Sequence, residues 1–228
     1  MHVTAIVVAA GKGVRFKSRI PKPLVTLGRR PVIAYCLRTL SAHPYVKDII
    51  IVVNAGNKKS IADALRTHRL GKKVTRLVLG GPRRQDSVRS GLRALPAQAD
   101  TVLIHDAARP FIDAGLVSAV IQRARRCGAA VAAVPVKATI KRARGGKVGE
   151  TLDRSSLWEI QTPQVFKKDL ILEAYRRFSA RLVTDDAALV ERLGSGVELV
   201  MGSYRNIKLT TPEDLSFAKG IIRTWKRA

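Results

Sequence analysis

Three short segments concentrate the residue types that handle phosphate groups. The first is Ala9-Ala10-Gly11-Lys12-Gly13-Val14-Arg15, where an apolar run beginning at His2 ends. Glycines there let the backbone come close to a phosphate, and the N–H groups of such a turn can point at its oxygens. The segment is not a Walker A loop, since no Lys-Ser/Thr follows a second glycine at the required spacing. Nor is it a dinucleotide fingerprint, because Phe16 stands where the third glycine belongs. Cations follow it. Arg15 is adjacent, and Lys22 lies in Pro21-Lys22-Pro23, whose two prolines hold it on a stiff, extended segment. A stiff cationic clamp beside a phosphate-binding turn suits phosphoryl or nucleotidyl transfer, in which positioning and charge neutralisation supply most of the catalysis.

The second segment is Gly80-Gly81-Pro82-Arg83-Arg84-Gln85-Asp86-Ser87. Asp86 or Ser87 can cap a following helix; alternatively Gly81 and Ser87 read the edge of a base. The third is His105-Asp106-Ala107-Ala108-Arg109-Pro110. An aspartate at the end of a strand is a reasonable Mg²⁺ ligand, since that ion takes one or two carboxylates plus phosphate oxygens and water. The alternative is a turn in which Asp106 pairs with Arg109. His105 reads as a hydrogen-bonding residue rather than a base. A fourth group is C-terminal: Asp153-Arg154, Gln161-Thr162-Pro163-Gln164, Thr184-Asp185-Asp186 and Asn206 to Asp214. Its last member contains a helix start, with Thr211 as cap, Pro212 in the first turn and acids behind it. Thr184-Asp185 has the same alternative reading as a cap. Lys208, inside a strand-like pattern, has no such structural explanation.

The elements that must carry these segments alternate. Strand patterns at His2–Ala9, Asp48–Val53, Val74–Leu79, Thr101–His105 and Ala129–Val134 are separated by helix patterns at Pro31–Leu40, Lys58–Leu70, Asp86–Leu95 and Ala114–Arg126. This rhythm predicts an α/β fold, a mostly parallel sheet with helices on both faces. The three phosphate-handling segments all follow strands, at the edge where open α/β sheets bind ligands. After Pro135 the rhythm breaks. Lys137–Thr151 is polar and basic around Gly145-Gly146, which predicts a hairpin arm projecting from the domain and packing on a partner subunit. The remainder predicts helices at Lys168–Ser179, Asp185–Leu193 and Pro212–Trp225, with strands at Val197–Met201 and Asn206–Leu209.

Length and composition set the bounds. The 228 residues, 46% hydrophobic and 26% charged, suit one globular domain. No stretch approaches the ~20 apolar residues that span a bilayer. The N-terminal run has no basic region before it, so a cytoplasmic protein without a signal peptide is expected. Cys36 and Cys127 sit in apolar helical patterns and read as buried free thiols. The net charge of +25 attracts anions. With aromatics at 5%, a base-stacking surface is not expected, and the charge reads as a solvated basic surface on which nucleic acid binds only non-specifically.

Taken in order, these segments resemble the 2-C-methyl-D-erythritol 4-phosphate cytidylyltransferases of the non-mevalonate isoprenoid pathway, over nearly the whole chain. The resemblance implies a Rossmann-like sheet of the nucleotide-diphospho-sugar transferase type, as one domain over residues 1–228 with a dimerisation arm at about 137–155. It implies that CTP reacts with methylerythritol phosphate to give the CDP-alcohol and pyrophosphate, with Mg²⁺ or another divalent cation, in a homodimer. Ala9, Ala10, Gly11, Lys12 and Gly13 would wrap the phosphates, and Gly81 and Ser87 would hold cytosine. Arg15 and Lys22 would stabilise the pentacoordinate α-phosphate. Asp106 would bind the metal and face the nucleotide, supported by Arg109. Lys208, with Thr139 and Arg154 from across the dimer, would position the acceptor phosphate. Thr162, Thr184 and Asp185 would line the acceptor pocket. The chain departs from many relatives at Ala138, where they have Asp, and at Pro82, which offers no backbone N–H. Ribitol 5-phosphate is the alternative acceptor, and a hexose 1-phosphate a more distant one. A basic RNA-binding protein on the same fold is the alternative of a different class.

Overall fold

The computed structural model describes residues 1–11, 13, 16 and 20–225. Its centre is a seven-stranded sheet built from β1 (Val3–Val8), β4 (Val46–Val53), β5 (Val74–Leu79), β6 (Thr101–Asp106), β7 (Ala129–Pro135), β10 (Trp158–Lys167) and β11 (Glu198–Met201), in the order β11-β7-β10-β6-β1-β4-β5. Pairing of β1 with β4 and β6, of β4 with β5 and of β7 with β11 is parallel. Only β10 runs against its neighbours, β6 and β7. Two small antiparallel ladders complete the strands, β2 (Thr26–Leu27) with β3 (Arg30–Pro31) and β8 (Lys141–Arg144) with β9 (Lys147–Thr151).

The strand pleat sorts the core onto two faces. On one face Val3, Ala5 and Val7 pack with apolar residues of α1 (Val32–Ala42), α2 (Lys58–Thr67) and α4 (Ala114–Cys127). On the other, Ile6 packs with α3 (Arg84–Arg93), α5 (Lys168–Phe178) and α6 (Ala187–Glu191). A third cluster joins α7 (Pro212–Thr224) to Leu27, Val32 and Phe111. None of the described helices is long and apolar enough to cross a membrane.

The β-α alternation therefore holds, with helices on both faces. Three expectations change. Asn206–Leu209 is not a strand: the Leu209 N–H bonds the Ala108 carbonyl and Asn206 is fixed through its side chain. Trp158–Lys167 is a strand, the antiparallel β10, although Gln161, Pro163 and Gln164 obscure any alternation. It carries a register shift against β7 between Ile160 and Gln164, where the Thr162–Pro163 peptide is cis. Cys127 is partly exposed at the end of α4, whereas Cys36 is buried, which pushes its thiol up to about 12. The predicted arm is a hairpin, with Gly145 at φ +56° and Gly146 at φ +76°, the pair of positive values that a type I′ turn requires. Every residue of β8 and β9 is exposed.

Candidate active site

Parallel pairing of β4, β1 and β6 brings the segments after their carboxyl ends to one edge, beside the loop that follows β5. The segments line a cleft of about 240 Å³ whose wall includes Ala9, Ala10, Gly11, Gly13, Lys22, Gly81, Ser87, Asp106 and Lys208. These residues are spread over 200 positions of sequence, from 9 to 208, and the sheet edge is what joins them. Lys12 and Arg15 lie outside the described residues.

The turn after β1 is held by two asparagines that the sequence reading did not single out. Asn54 donates to the Ala10 carbonyl and Asn57 to the Ala9 carbonyl, both at 2.9 Å. Each asparagine also accepts a backbone N–H from the other. The pair pins the phosphate-type turn to the end of β4 and gives two carbonyl dipoles amide donors to face. The available signal was an Asn-x-x-Asn spacing directly after a strand. Lys22 begins a short 3₁₀ turn, Lys22–Leu24, between its prolines. Its ammonium lies 3.5 Å from the Thr210 carbonyl and 5.4 Å from the centre of the Phe16 ring.

The second wall depends on close backbone approach. A Cβ on Gly80 would stand 2.5 Å from Ser87 Oγ and 2.7 Å from Ala10 Cβ, so only glycine lets the loop after β5 reach the turn after β1. Asp86, three residues into α3, accepts from the Arg83 N–H in a capping box, and the Arg83 fork closes on it with two 2.8 Å bonds. Those bonds hold the Asp86 carboxyl down to about 2. Asp86 thus serves the helix start, as one of the two expected readings had it, while Gly81 and Ser87 line the cleft. The Ser87 hydroxyl lies 3.2 Å from the Arg83 carbonyl and 3.4 Å from that of Gly81.

Asp106 ends β6 and is not paired with the Arg109 side chain. Its Oδ1 accepts from Arg84 Nε at 3.0 Å, and its Oδ2 faces Lys208 Nζ at 2.6 Å. Burial alone would raise its pKa, but Arg84 and Lys208 together hold it well below the ordinary carboxylate range. Lys208 thus has its explanation: it reaches the cleft from a loop, not from a strand. Of the charged side chains in the described wall, four are cations (Lys22, Arg83, Arg84 and Lys208) and one is the Asp106 carboxylate.

Beneath Asp106 runs a chain of neutral hydrogen bonds. The antiparallel register sets β10 beside β6, and Thr162 Oγ1 accepts the Asp106 N–H at 3.1 Å. The same hydroxyl lies 3.0 Å from His105 Nδ1, and His105 Nε2 lies 3.0 Å from the Arg109 carbonyl. A carbonyl only accepts, so the proton sits on Nε2, and Nδ1 accepts from Thr162. Burial lowers the His105 pKa to about 4, keeping the ring neutral. Arg109, also buried, donates to the carbonyls of Asn206 at 2.7 Å and Ile160 at 3.4 Å. Thr162 and Arg109 therefore support the Asp106 turn from behind rather than line the open cleft.

The remaining sites lie apart from this cleft. Asp185 accepts from the Gln164 side chain at 2.9 Å and from the Ala188 N–H at 3.3 Å, while the cap position of α6 is Asp186. Thr184 is exposed. Thr139 is exposed at the base of the arm, and Arg154, past β9 at the arm's other end, donates to the Lys137 carbonyl at 2.6 Å.

Two measurements follow. Gly80→Ala is expected to cost about 1–3 kcal/mol by overpacking and to weaken CTP binding, as read by urea unfolding and calorimetry; wild-type values in both would remove the close-approach argument. The second concerns pH. Folded His105 resists protonation down to about 4, whereas the ordinary value is 6.5. The unfolded chain therefore binds more protons across that window, and stability must fall as pH is lowered through it, by about 3 kcal/mol from this residue. His43, also lowered by burial, adds in the same sense. Urea midpoints at pH 7 and pH 4.5 should differ less in His105→Gln than in the wild type, and an equal difference would assign the slope elsewhere.

Comparison with known proteins agrees with this geometry. The family described as IspD, 2-C-methyl-D-erythritol 4-phosphate cytidylyltransferase, matches residues 3–224. The 2-C-methyl-D-erythritol 4-phosphate cytidylyltransferase of Pelotomaculum thermopropionicum is 45% identical over 225 residues, covering 97% of this chain and 94% of its own. Among solved structures, the 4-diphosphocytidyl-2C-methyl-D-erythritol synthase of Anaerococcus prevotii superposes with a TM-score of 0.85 at 34% identity, covering 97% of this chain and 96% of its own. The Thermus thermophilus cytidylyltransferase gives 0.81 at 32% identity, covering 98% and 100%. The chain belongs to the 2-C-methyl-D-erythritol 4-phosphate cytidylyltransferase family.

Proposed function

We propose a division of labour around the cleft for the reaction that this family membership assigns to the chain: transfer of the cytidylyl group of CTP to 2-C-methyl-D-erythritol 4-phosphate, with release of pyrophosphate. The observation that carries the reading is the grouping of four cations and one ionised carboxylate in a cleft floored by a glycine turn.

The acceptor is a phosphate monoester, already anionic near neutral pH. One of its oxygens attacks the α-phosphorus of CTP, a new P–O bond forms, and the bond to the pyrophosphate leaving group breaks. The nucleophile needs no general base, and His105 is too deeply committed to serve as one. The barrier is anion approaching anion, so fixed cations are the main requirement. The turn from Ala9 to Gly13, with Lys12, receives the triphosphate. Gly81 and Ser87 hold the cytosine edge. Lys22 and Arg15 neutralise charge developing at the α-phosphate, and Lys208 positions the acceptor phosphate.

The residues at Asp106 fit a divalent cation such as Mg²⁺. The carboxylate is ionised and stands at the cleft wall. No cluster of three His, Cys, Asp or Glu side chains occurs among the described residues. An ion held there would take this one carboxylate, phosphate oxygens and water. Bound there, it would neutralise phosphate charge.

Acceptor contacts from Thr139 and Arg154 require a second subunit, with Thr184 and Asp185 completing the pocket. The hairpin supports this reading: no residue of its two strands is buried within its own chain, and Val148 is 68% exposed. The arm, at about residues 137–155, would carry those contacts to a partner's cleft in a cytoplasmic homodimer.

Pyrophosphate release with CTP, Mg²⁺ and each alcohol phosphate tests the substrate, and faster release with ribitol 5-phosphate would reassign the acceptor. Lys22→Ala is expected to lower turnover about 10²–10³-fold while CTP still binds; full turnover would remove this lysine from the chemistry. Arg154→Ala and Lys208→Ala should each raise the acceptor KM. Mixed dimers with Arg154→Ala in one subunit and Lys22→Ala in the other should keep one working site of two, and complete loss would rule out contribution across the interface.

A further inference from the structure

Arg84 is the first residue of α3 and has no step of its own in the reaction set out above, yet its guanidinium joins two carboxylates, one at the end of β6 and one at the start of α6. Nε donates to Asp106 at 3.0 Å, and Nη1 lies 2.9 Å from Asp186 Oδ2. The two ends of this bridge differ in rigidity. The Asp186 side chain is 1% exposed, and its other oxygen accepts the Tyr175 hydroxyl at 2.6 Å. The backbone N–H groups of Asp186 and Ala187 are held by Gln164 Oε1 at 3.2 and 3.3 Å, and Gln164 in turn donates to Asp185. Asp186 is thus an anchor fixed on several sides. The Asp106 carboxylate faces the cleft, and its other partner, Lys208, is 40% exposed on a flexible stem. A flexible lysine cannot by itself fix a carboxylate's orientation. A planar guanidinium clamped at its far end by a buried anion can.

We propose that Arg84 is a positioning residue for cytidylyl transfer: it sets the place of the Asp106 carboxylate in the cleft from an anchor at Asp186, next to Asp185, which the reading above places in the acceptor pocket. Without the bridge, Asp106 keeps its contact with the flexible Lys208 but loses the rigid partner that sets its place in the cleft. Lysine at position 84 keeps the charge but cannot span both carboxylates. Asp186, although buried and outside the cleft wall, therefore matters to turnover through Arg84. The inference rests on Asp106 standing at the triphosphate, which Asp106→Asn tests separately: unchanged turnover there would sink the reading of the cleft itself.

The experiment is a double-mutant cycle on the full-length protein with Arg84→Lys, Asp186→Asn and the pair, measuring kcat, both KM values and thermal midpoints. Calorimetric CTP binding in EDTA supplies a readout independent of turnover. Arg84→Lys should lower kcat about 10- to 100-fold with CTP affinity within about threefold, Asp186→Asn should lower kcat at least about tenfold, and the double variant should be no worse than the poorer single one. If Asp186→Asn does not fold, Asp186→Glu, which displaces the anchor by one methylene, carries the same expectation. Tyr175→Phe removes a hydrogen bond from Asp186 without touching Arg84 and should change kcat less than about threefold. Three results would overturn the proposal. Loss of CTP affinity with kcat retained would make Arg84 a direct ligand. Losses that multiply in the double variant would deny a shared route. A Tyr175→Phe loss equal to that of Asp186→Asn would reduce the effect to general loosening.

Discussion

The cleft depends on keeping one carboxylate ionised in a mostly buried place. Asp106 sits at the end of β6 with its side chain only 10% exposed, where an unpaired charge would cost several kcal/mol even after relaxation. Arg84 and Lys208 offset that cost from opposite sides, and its backbone N–H is satisfied by Thr162. The arrangement requires an arginine from the start of α3, a lysine from a loop before α7 and a threonine from β10. Each of those elements has to be docked on the sheet before the charge can be tolerated. Folding and assembly of the site are therefore one event.

The same logic explains why the polar interior on this side is continuous. His105, Thr162 and Arg109 form one line of hydrogen bonds, while Gln161 and Asn206 lace β10 to the loop that carries Lys208. Gln164, Asp186 and Tyr175 form another line beneath α6. A buried polar group left unmade costs more than a made one gains. Such lines therefore hold their members to one geometry. This suits a reaction whose main requirement is fixed charge at fixed places. The +25 net charge of the chain attracts anions in general, but selectivity for a triphosphate comes from the few cations these lines orient.

Much of this was legible along the chain. Apolar runs gave β1, β4, β6 and β7 nearly to their ends, because a strand buried on both faces must be largely apolar, whereas β5, at the sheet's edge with no buried residue, was read from Val74 and Leu77-Val78-Leu79 before the double glycine. Ligand-binding turns after such strands follow from parallel topology, and Lys22, Gly81, Ser87, Asp106 and Lys208 do share the cleft. The misses have physical causes. β10 is polar where it runs past Asp106, so it shows neither alternation nor an apolar run. Asn206–Leu209 mimicked a strand because Ile207 and Leu209 alternate, yet its hydrogen bonds go to a turn and to side chains. Asn54, Asn57 and Arg84 look like ordinary surface residues, since their partners are carbonyls and carboxylates many positions away.

What the residues determined unaided were local matters. These are which stretches must hide from water, where the backbone must turn, and how many cations stand near phosphate-type turns. Partnership was decided only in three dimensions. Whether Asp106 meets Arg109 or Arg84, whether Thr162 faces a ligand or its own backbone, and which asparagines hold the first turn all depend on strand order and on the reversed direction of β10. Hydrogen bonds and ion pairs act over a few ångströms, and separation along the chain carries no information about that distance until the sheet has closed it.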